Sequence, residues 1–177
     1  HRPRRIDGGA AVPPAGPGRI GEDFMQPVVD HIHITVADLE RAAFYYDRLL
    51  PLLGFSLQDK EHDADPAHEY IIVEYNNSFL SIGLVNPRPA FRSQPVNRRR
   101  PGALHHLAMR AESPGEVDAL YNAVLAIPGP IILHPPQFYP SYCPDYYAFF
   151  FKDCEGIEWE IVHFDRPSYF VRENSGR

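Results

Sequence analysis

Histidines and glutamates at regular strand positions are the first candidates for chemistry in this chain. The segment "DHIHITV" holds His31 and His33 two apart in a β-branched run, and "HHLAMRA" holds His106. The segment "IEWEIVHF" places Glu158 and Glu160 two apart among apolar residues. Imidazole nitrogens and carboxylate oxygens bind divalent metals, and three protein ligands leave coordination positions open for a substrate.

Strand alternation places these side chains together. Successive side chains of a strand point to opposite faces. If the apolar residues of each segment pack against the core, the histidines and glutamates share the other face of the sheet, which we call the cup face. Curling of paired sheets would bring two imidazoles and one carboxylate together there. This pattern favours a catalytic divalent metal site over a structural one.

An internal repeat supports this arrangement. An offset of 75 residues aligns five pairs without a gap: His31 with His106, Asp38 with Ser113, Tyr46 with Tyr121, Leu50 with Leu125, and Gly54 with Gly129. The second pair predicts helix N-caps and the last pair predicts helix ends. His33 aligns with Ala108, so the repeat selects His31 over His33 as the ligand.

Each copy reads as a strand, an amphipathic helix and three further strands. We therefore expect an α+β fold of two tandem βαβββ modules, whose curled mixed sheets form a metal-binding cup. A hairpin turn is expected across Asn76-Asn77. The later strands are expected at 55–58, 69–75 and 79–85 in the first copy and at 130–134, 146–151 and 157–164 in the second.

Composition divides the chain into one domain with two tails. Residues 1–24 are rich in Arg, Gly and Pro and are expected to be a disordered, dispensable tail. The domain is expected at 25–167. Its parts are module 1 at 26–86, a linker at 87–101 and module 2 at 102–165, followed by a C-terminal tail at 168–177.

The overall numbers narrow the classes of function. The formal net charge of −6 disfavours binding to nucleic acid or to anionic membranes. No segment approaches the ~20 apolar residues of a membrane span. Cys143 and Cys154 are read as free thiols of a reducing compartment, which predicts a cytoplasmic location.

The motifs also resemble a known family. "DHIHITVADLERAAFYY", "HHLAMRA" and "YYAFFFKDCEGIEWEIVHF" are similar, in that order, to the opening, second-module and closing motifs of the vicinal oxygen chelate superfamily. This superfamily includes glyoxalases, extradiol dioxygenases and bleomycin resistance proteins. The resemblance covers roughly residues 26–165 and implies metal ligands at His31, His106 and Glu160.

The chain also departs from individual members of that superfamily. Glyoxalase I takes a fourth ligand from the first module, where this chain has Ser81 or Gly83. Other members place a tyrosine at the position of Phe150. The candidate acid–base groups that could replace this tyrosine are Tyr146, Tyr147 and His134.

The resemblance implies a metal-dependent lyase or isomerase of the glyoxalase-like type, which chelates adjacent oxygens of a small substrate. The metal would be Fe, Mn, Ni, Zn or Mg. One alternative is an extradiol ring-cleavage dioxygenase, and another is a metal-free drug-binding or resistance protein. A homodimer is expected, with the modules paired within a chain or exchanged between chains.

Overall fold

The computed structural model describes residues 28–170. The expected tail at 1–24 and most of the expected tail at 168–177 lie outside these residues. No helix within the described range is long and apolar enough to cross a membrane. Both cysteines are unpaired, as the sequence predicts.

The first module contains one helix and a four-stranded mixed sheet. Its elements are β1 (His31–Thr35), α1 (Leu39–Leu52), β2 (Ser56–Asp65), β3 (Tyr70–Asn76) and β4 (Ser81–Val85). The strand order is β1-β4-β3-β2, in which only β1 and β4 run parallel.

The second module repeats this arrangement. Its elements are β5 (Leu107–Arg110), α2 (Pro114–Leu125), β6 (Ile131–Phe138), β7 (Tyr147–Lys152), β8 (Glu158–His163) and a final short helix α3 (Arg166–Tyr169). The strand order β5-β8-β7-β6 matches that of the first sheet, again with one parallel pair. The prediction of two tandem βαβββ modules is confirmed.

Both predicted helix N-caps are confirmed. The Asp38 side chain accepts a hydrogen bond from the Arg41 backbone N–H at 3.0 Å. The Ser113 hydroxyl accepts one from the Glu116 N–H at 3.1 Å. Gly54 follows the C-cap of α1 with a φ of 85°, a conformation that glycine adopts without steric cost.

Three local expectations were wrong. The turn between β3 and β4 spans 77–80 rather than Asn76-Asn77, because the Asn77 side chain accepts hydrogen bonds from the backbone N–H groups of Phe79 and Leu80. Helix α2 has its C-cap at Ala126, so Gly129 lies in the following loop. Strands β2 and β6 also extend well beyond the expected segments, as far as Asp65 and Phe138.

The two modules share a single hydrophobic core. The Tyr46 ring of α1 contacts the Trp159 ring of β8, with centroids 5.9 Å apart. The Tyr46 hydroxyl donates a 2.6 Å hydrogen bond to buried Asp153 of the second module. The core sides of both sheets therefore face this common centre, and the two cup faces point away from it.

Candidate functional site

The cup face of the second sheet carries a buried carboxylate. Glu160 on β8 is only 4% exposed. One of its oxygens accepts a 2.5 Å hydrogen bond from the Tyr146 hydroxyl, and the other lies 3.4 Å from His106 Nε2. These three side chains line a cavity of about 500 Å³. Two of the three predicted metal ligands thus lie next to each other.

Burial controls the protonation of this cluster. Desolvation raises the pKa of Glu160, while the Tyr146 hydroxyl and His106 oppose that rise by stabilising the carboxylate. Desolvation and the bond to Glu160 raise the pKa of Tyr146 well above 10. The Tyr146 hydroxyl therefore keeps its proton at neutral pH and acts as a hydrogen-bond donor.

An arginine from the linker enters the same cavity. Arg98 forms an ion pair with Glu158, which is also nearly buried. Of the two glutamates on this face, Glu158 is neutralised by Arg98, and Glu160 is the one that approaches His106. In the sequence, Arg98 is the first of three consecutive arginines in the linker, and such a run of charge is typical of a solvated surface.

The other predicted acid–base groups divide between the two sides of the sheet. His134 lines the cavity with its ring against Phe150. Tyr147 does not lie in the cavity, because its hydroxyl bonds Asp118 of α2 on the opposite side. Strand alternation alone predicts that Tyr147 points away from the cavity, because Tyr147 lies on the same face of β7 as buried Phe149.

His105 is a further residue that the sequence did not single out. Its Nδ1 lies 2.7 Å from His106 Nδ1, and it lines the same cavity.

The cup face of the first sheet carries a second polar cluster. His31 Nδ1 lies 2.9 Å from an Asp30 carboxylate oxygen, and the His31 ring lies 4.7 Å from the His33 ring. His33 Nε2 in turn lies 3.0 Å from Glu74 Oε1. Glu74, only 7% exposed, had no assigned role in the sequence, although its alternation with Tyr75 places it on this face.

Gly83 makes the His33–Glu74 contact possible. Gly83 is the strand neighbour of both residues, on β1 and β3 respectively. A Cβ at position 83 would lie 2.6 Å from the His33 ring. The missing side chain of Gly83 thus leaves the space that the His33 imidazole occupies beside Glu74.

The predicted ligands lie on two separate faces of one chain. Among residues 28–170, no three His, Cys, Asp or Glu side chains come close enough to hold a metal. The donor types nevertheless fit a divalent metal, because His31 has a carboxylate partner on Nδ1 and His106 turns Nε2 toward Glu160. A carboxylate that orients an imidazole in this way is common at metal centres.

Comparison with known proteins identifies the family. The family model described as the glyoxalase/bleomycin resistance protein/dioxygenase superfamily matches residues 28–161. The chain belongs to this superfamily. The match includes all three predicted metal ligands and most of both modules.

Solved structures of this superfamily share the fold. A glyoxalase candidate from Bacillus halodurans is 27% identical with a TM-score of 0.60, over 78% of this chain and 97% of that chain. A glyoxalase/bleomycin resistance protein/dioxygenase domain from Frankia sp. EAN1pec is 21% identical with a TM-score of 0.62, over 78% and 98%. A glyoxalase-related enzyme from Fulvimarina pelagi is 22% identical with a TM-score of 0.53, over 79% and 89%. No curated protein matches the chain significantly.

Proposed function

We propose that this protein is a metal-dependent glyoxalase-like enzyme of the lyase or isomerase type. The observation that carries the proposal is the buried Glu160 carboxylate, which faces His106 and Tyr146 inside an aromatic cavity. A carboxylate removed from water requires a compensating positive charge or several hydrogen-bond donors. A divalent cation beside His106 would supply that charge.

The third ligand, His31, would come from a second copy of the chain. The two cup faces of one chain point away from their shared core, so they cannot face each other. A two-fold dimer that sets the first sheet of one copy against the second sheet of the other would form two identical sites. Each site would combine His31 of one copy with His106 and Glu160 of the other. Completion of the metal site would thus be a chemical reason for the expected homodimer to form.

When bound, the metal would polarise a substrate that offers two adjacent oxygens. The residues of the chain account for the remaining functions. The Tyr146 hydroxyl donates to Glu160 and fixes the direction of its carboxylate. The Arg98–Glu158 ion pair places a neutral polar wall beside His106. His134 is the candidate proton carrier, since its ring lines the cavity.

The first test is metal analysis of protein purified without a chelator. Wild type should retain a divalent metal, and His31→Ala, His106→Ala and Glu160→Ala should each lose it while staying folded by circular dichroism. His33→Ala is the matched control, because His33 lies on the same strand and bonds Glu74. It should retain most of the metal, because loss of a neighbouring group typically lowers affinity only ~10–100-fold.

The outcomes separate the candidate functions. If the protein consumes oxygen in the presence of catechols, it is an extradiol dioxygenase rather than a lyase or isomerase. Wild-type protein that retains no metal, and four variants that behave alike, would contradict the enzyme proposal and favour a binding protein.

A further inference from the structure

A second cavity adjoins the one that contains Glu160. It has a volume of about 560 Å³ and lies further along the cup face of the second sheet. Tyr142 and Tyr146 line both cavities, so the two share a wall. A molecule that reaches Glu160 and His106 could therefore extend into this second cavity without leaving the protein surface.

The floor of the second cavity is made of small side chains. Ala108 is the strand neighbour of Glu160, and Val162 lies two residues beyond Glu160 on β8. Two strand residues span ~6.6 Å, which is close to the length of one aromatic ring with its substituent bonds. A planar ring lying on Ala108 and Val162 would thus place one end beside Glu160.

Aromatic rings form the walls. Tyr146 stacks on Phe164 with centroids 5.2 Å apart and an interplanar angle of 27°. Tyr142 meets Tyr146 edge to face at 5.2 Å. Such walls favour a planar ring, which can stack on one face and meet the edge of another.

Two cationic side chains contribute to the lining of the second cavity. Arg110 and Arg166 both line it. The Arg166 guanidinium lies 4.6 Å from the Phe170 ring centroid, which holds the side chain against the aromatic wall. Arg41 and Arg98 each form an ion pair. Within residues 28–170, neither Arg110 nor Arg166 pairs with a carboxylate, although the chain carries a net charge of −6.

We propose that this second cavity binds a small aromatic carboxylate. The ring would lie on Ala108 and Val162 between the tyrosine walls, and the carboxylate would bond Arg110 and Arg166. Arginine suits this role because its planar group offers paired donors to a carboxylate. This proposal rests on the proposed function. It assigns the substrate class as an aromatic acid that carries two adjacent oxygens at the end opposite its carboxylate.

Benzoate is the direct probe, because it has the ring and the carboxylate but no second oxygen pair for a metal. Calorimetry on the full chain should show millimolar or tighter binding. Benzamide, which has the same shape without the charge, and acetate, which has no ring, should each bind much more weakly. Arg110→Gln and Arg166→Gln should each weaken benzoate binding by ~10-fold or more, as expected for a lost charge-assisted hydrogen bond.

Arg92→Gln is the matched control, because Arg92 is exposed in the linker and does not line this cavity. It changes the net charge equally and should leave benzoate affinity unchanged. The proposal is overturned if benzoate does not bind, if benzamide binds equally well, or if all three arginine variants behave alike.

The measurement is repeated after treatment with a chelator, which separates this proposal from the proposed function. Benzoate binding that survives chelation and still depends on the two arginines supports the cavity even if the protein proves not to be a metalloenzyme. Binding that disappears with the metal and ignores the arginines would mean that benzoate binds the metal, and the cavity proposal would fail alone.

Discussion

The Gly83→Ala substitution tests how the first sheet builds its polar cluster. The added Cβ would lie 2.6 Å from His33 Cδ2 and 2.8 Å from Ile72 Cδ1. The Ile72 methyl can rotate away. The His33 ring would have to turn away from position 83, which would break its 3.0 Å contact with Glu74. Gly83 does not require a positive φ, so backbone strain does not enter the comparison.

The magnitude follows from the two groups that separate. A hydrogen bond to a charged group contributes about 1.5–3 kcal/mol, and Glu74 would remain buried without it. Replacing glycine by alanine returns about 0.4–1 kcal/mol through the lower entropy of the unfolded chain. We therefore expect Gly83→Ala to lower the free energy of unfolding by about 1–2 kcal/mol.

Urea unfolding at fixed protein concentration, in the presence of a chelator, measures this value. The matched background is His33→Ala, in which the clashing ring is already absent. There the added methyl should be neutral or should stabilise the protein by up to about 1 kcal/mol, so the two substitutions should be strongly non-additive. A neutral Gly83→Ala in the wild type, or equal costs in the two backgrounds, would refute the role assigned to Gly83.

Further substitutions test the shared core and its buried acids. Tyr46→Phe should lower the free energy of unfolding by about 1–3 kcal/mol, because it removes a hydrogen-bond donor from buried Asp153. Tyr45→Phe is its control. It should be neutral or stabilising, because the buried Tyr45 hydroxyl has no hydrogen-bond partner among the described residues. Burial raises the pKa of Asp153 above its ordinary 3.8, so the folded protein holds that proton to higher pH than the unfolded chain does. The stability advantage of wild type over Asp153→Asn should accordingly fall as pH rises from the Asp153 pKa of the unfolded chain to that of the folded protein. Urea unfolding at several pH values measures this advantage, and an advantage that grew with pH would contradict the prediction. Burial raises the pKa of Cys154 to about 12. Iodoacetamide at neutral pH should therefore leave this thiol unmodified in the folded protein and alkylate it in urea. Rapid labelling of Cys154 in the native state, detected by peptide mass spectrometry, would contradict the raised pKa.

Local patterns were sufficient to predict the modules and the faces of their strands. Alternation in "IEWEIVHF" correctly separated Glu160, which lines the cavity, from Trp159, which lies in the core, because successive side chains of a strand point to opposite faces. The caps at Asp38 and Ser113 were predictable because they depend on bonds within four residues. The same alternation would also have removed Tyr147 from the candidate site.

Contacts between distant segments were not predictable in this way. Arg98 reaches Glu158 across 60 residues, and no local pattern distinguishes it from its two arginine neighbours. The separation of His31 from His106 depends on how the two modules pack together. That packing is set by contacts such as Tyr46 with Trp159, on which strand periodicity has no bearing.

Each metal site is proposed to combine residues of two chains. Hybrid dimers of His31→Ala and Glu160→Ala chains, co-expressed with different tags and purified through both, test it most directly. Each homodimer should be nearly metal-free. The hybrid should regain one intact site, with His31 from the Glu160→Ala chain and both His106 and Glu160 from the His31→Ala chain. It should therefore bind half the metal of wild type, and a hybrid that binds no metal would contradict the composite site.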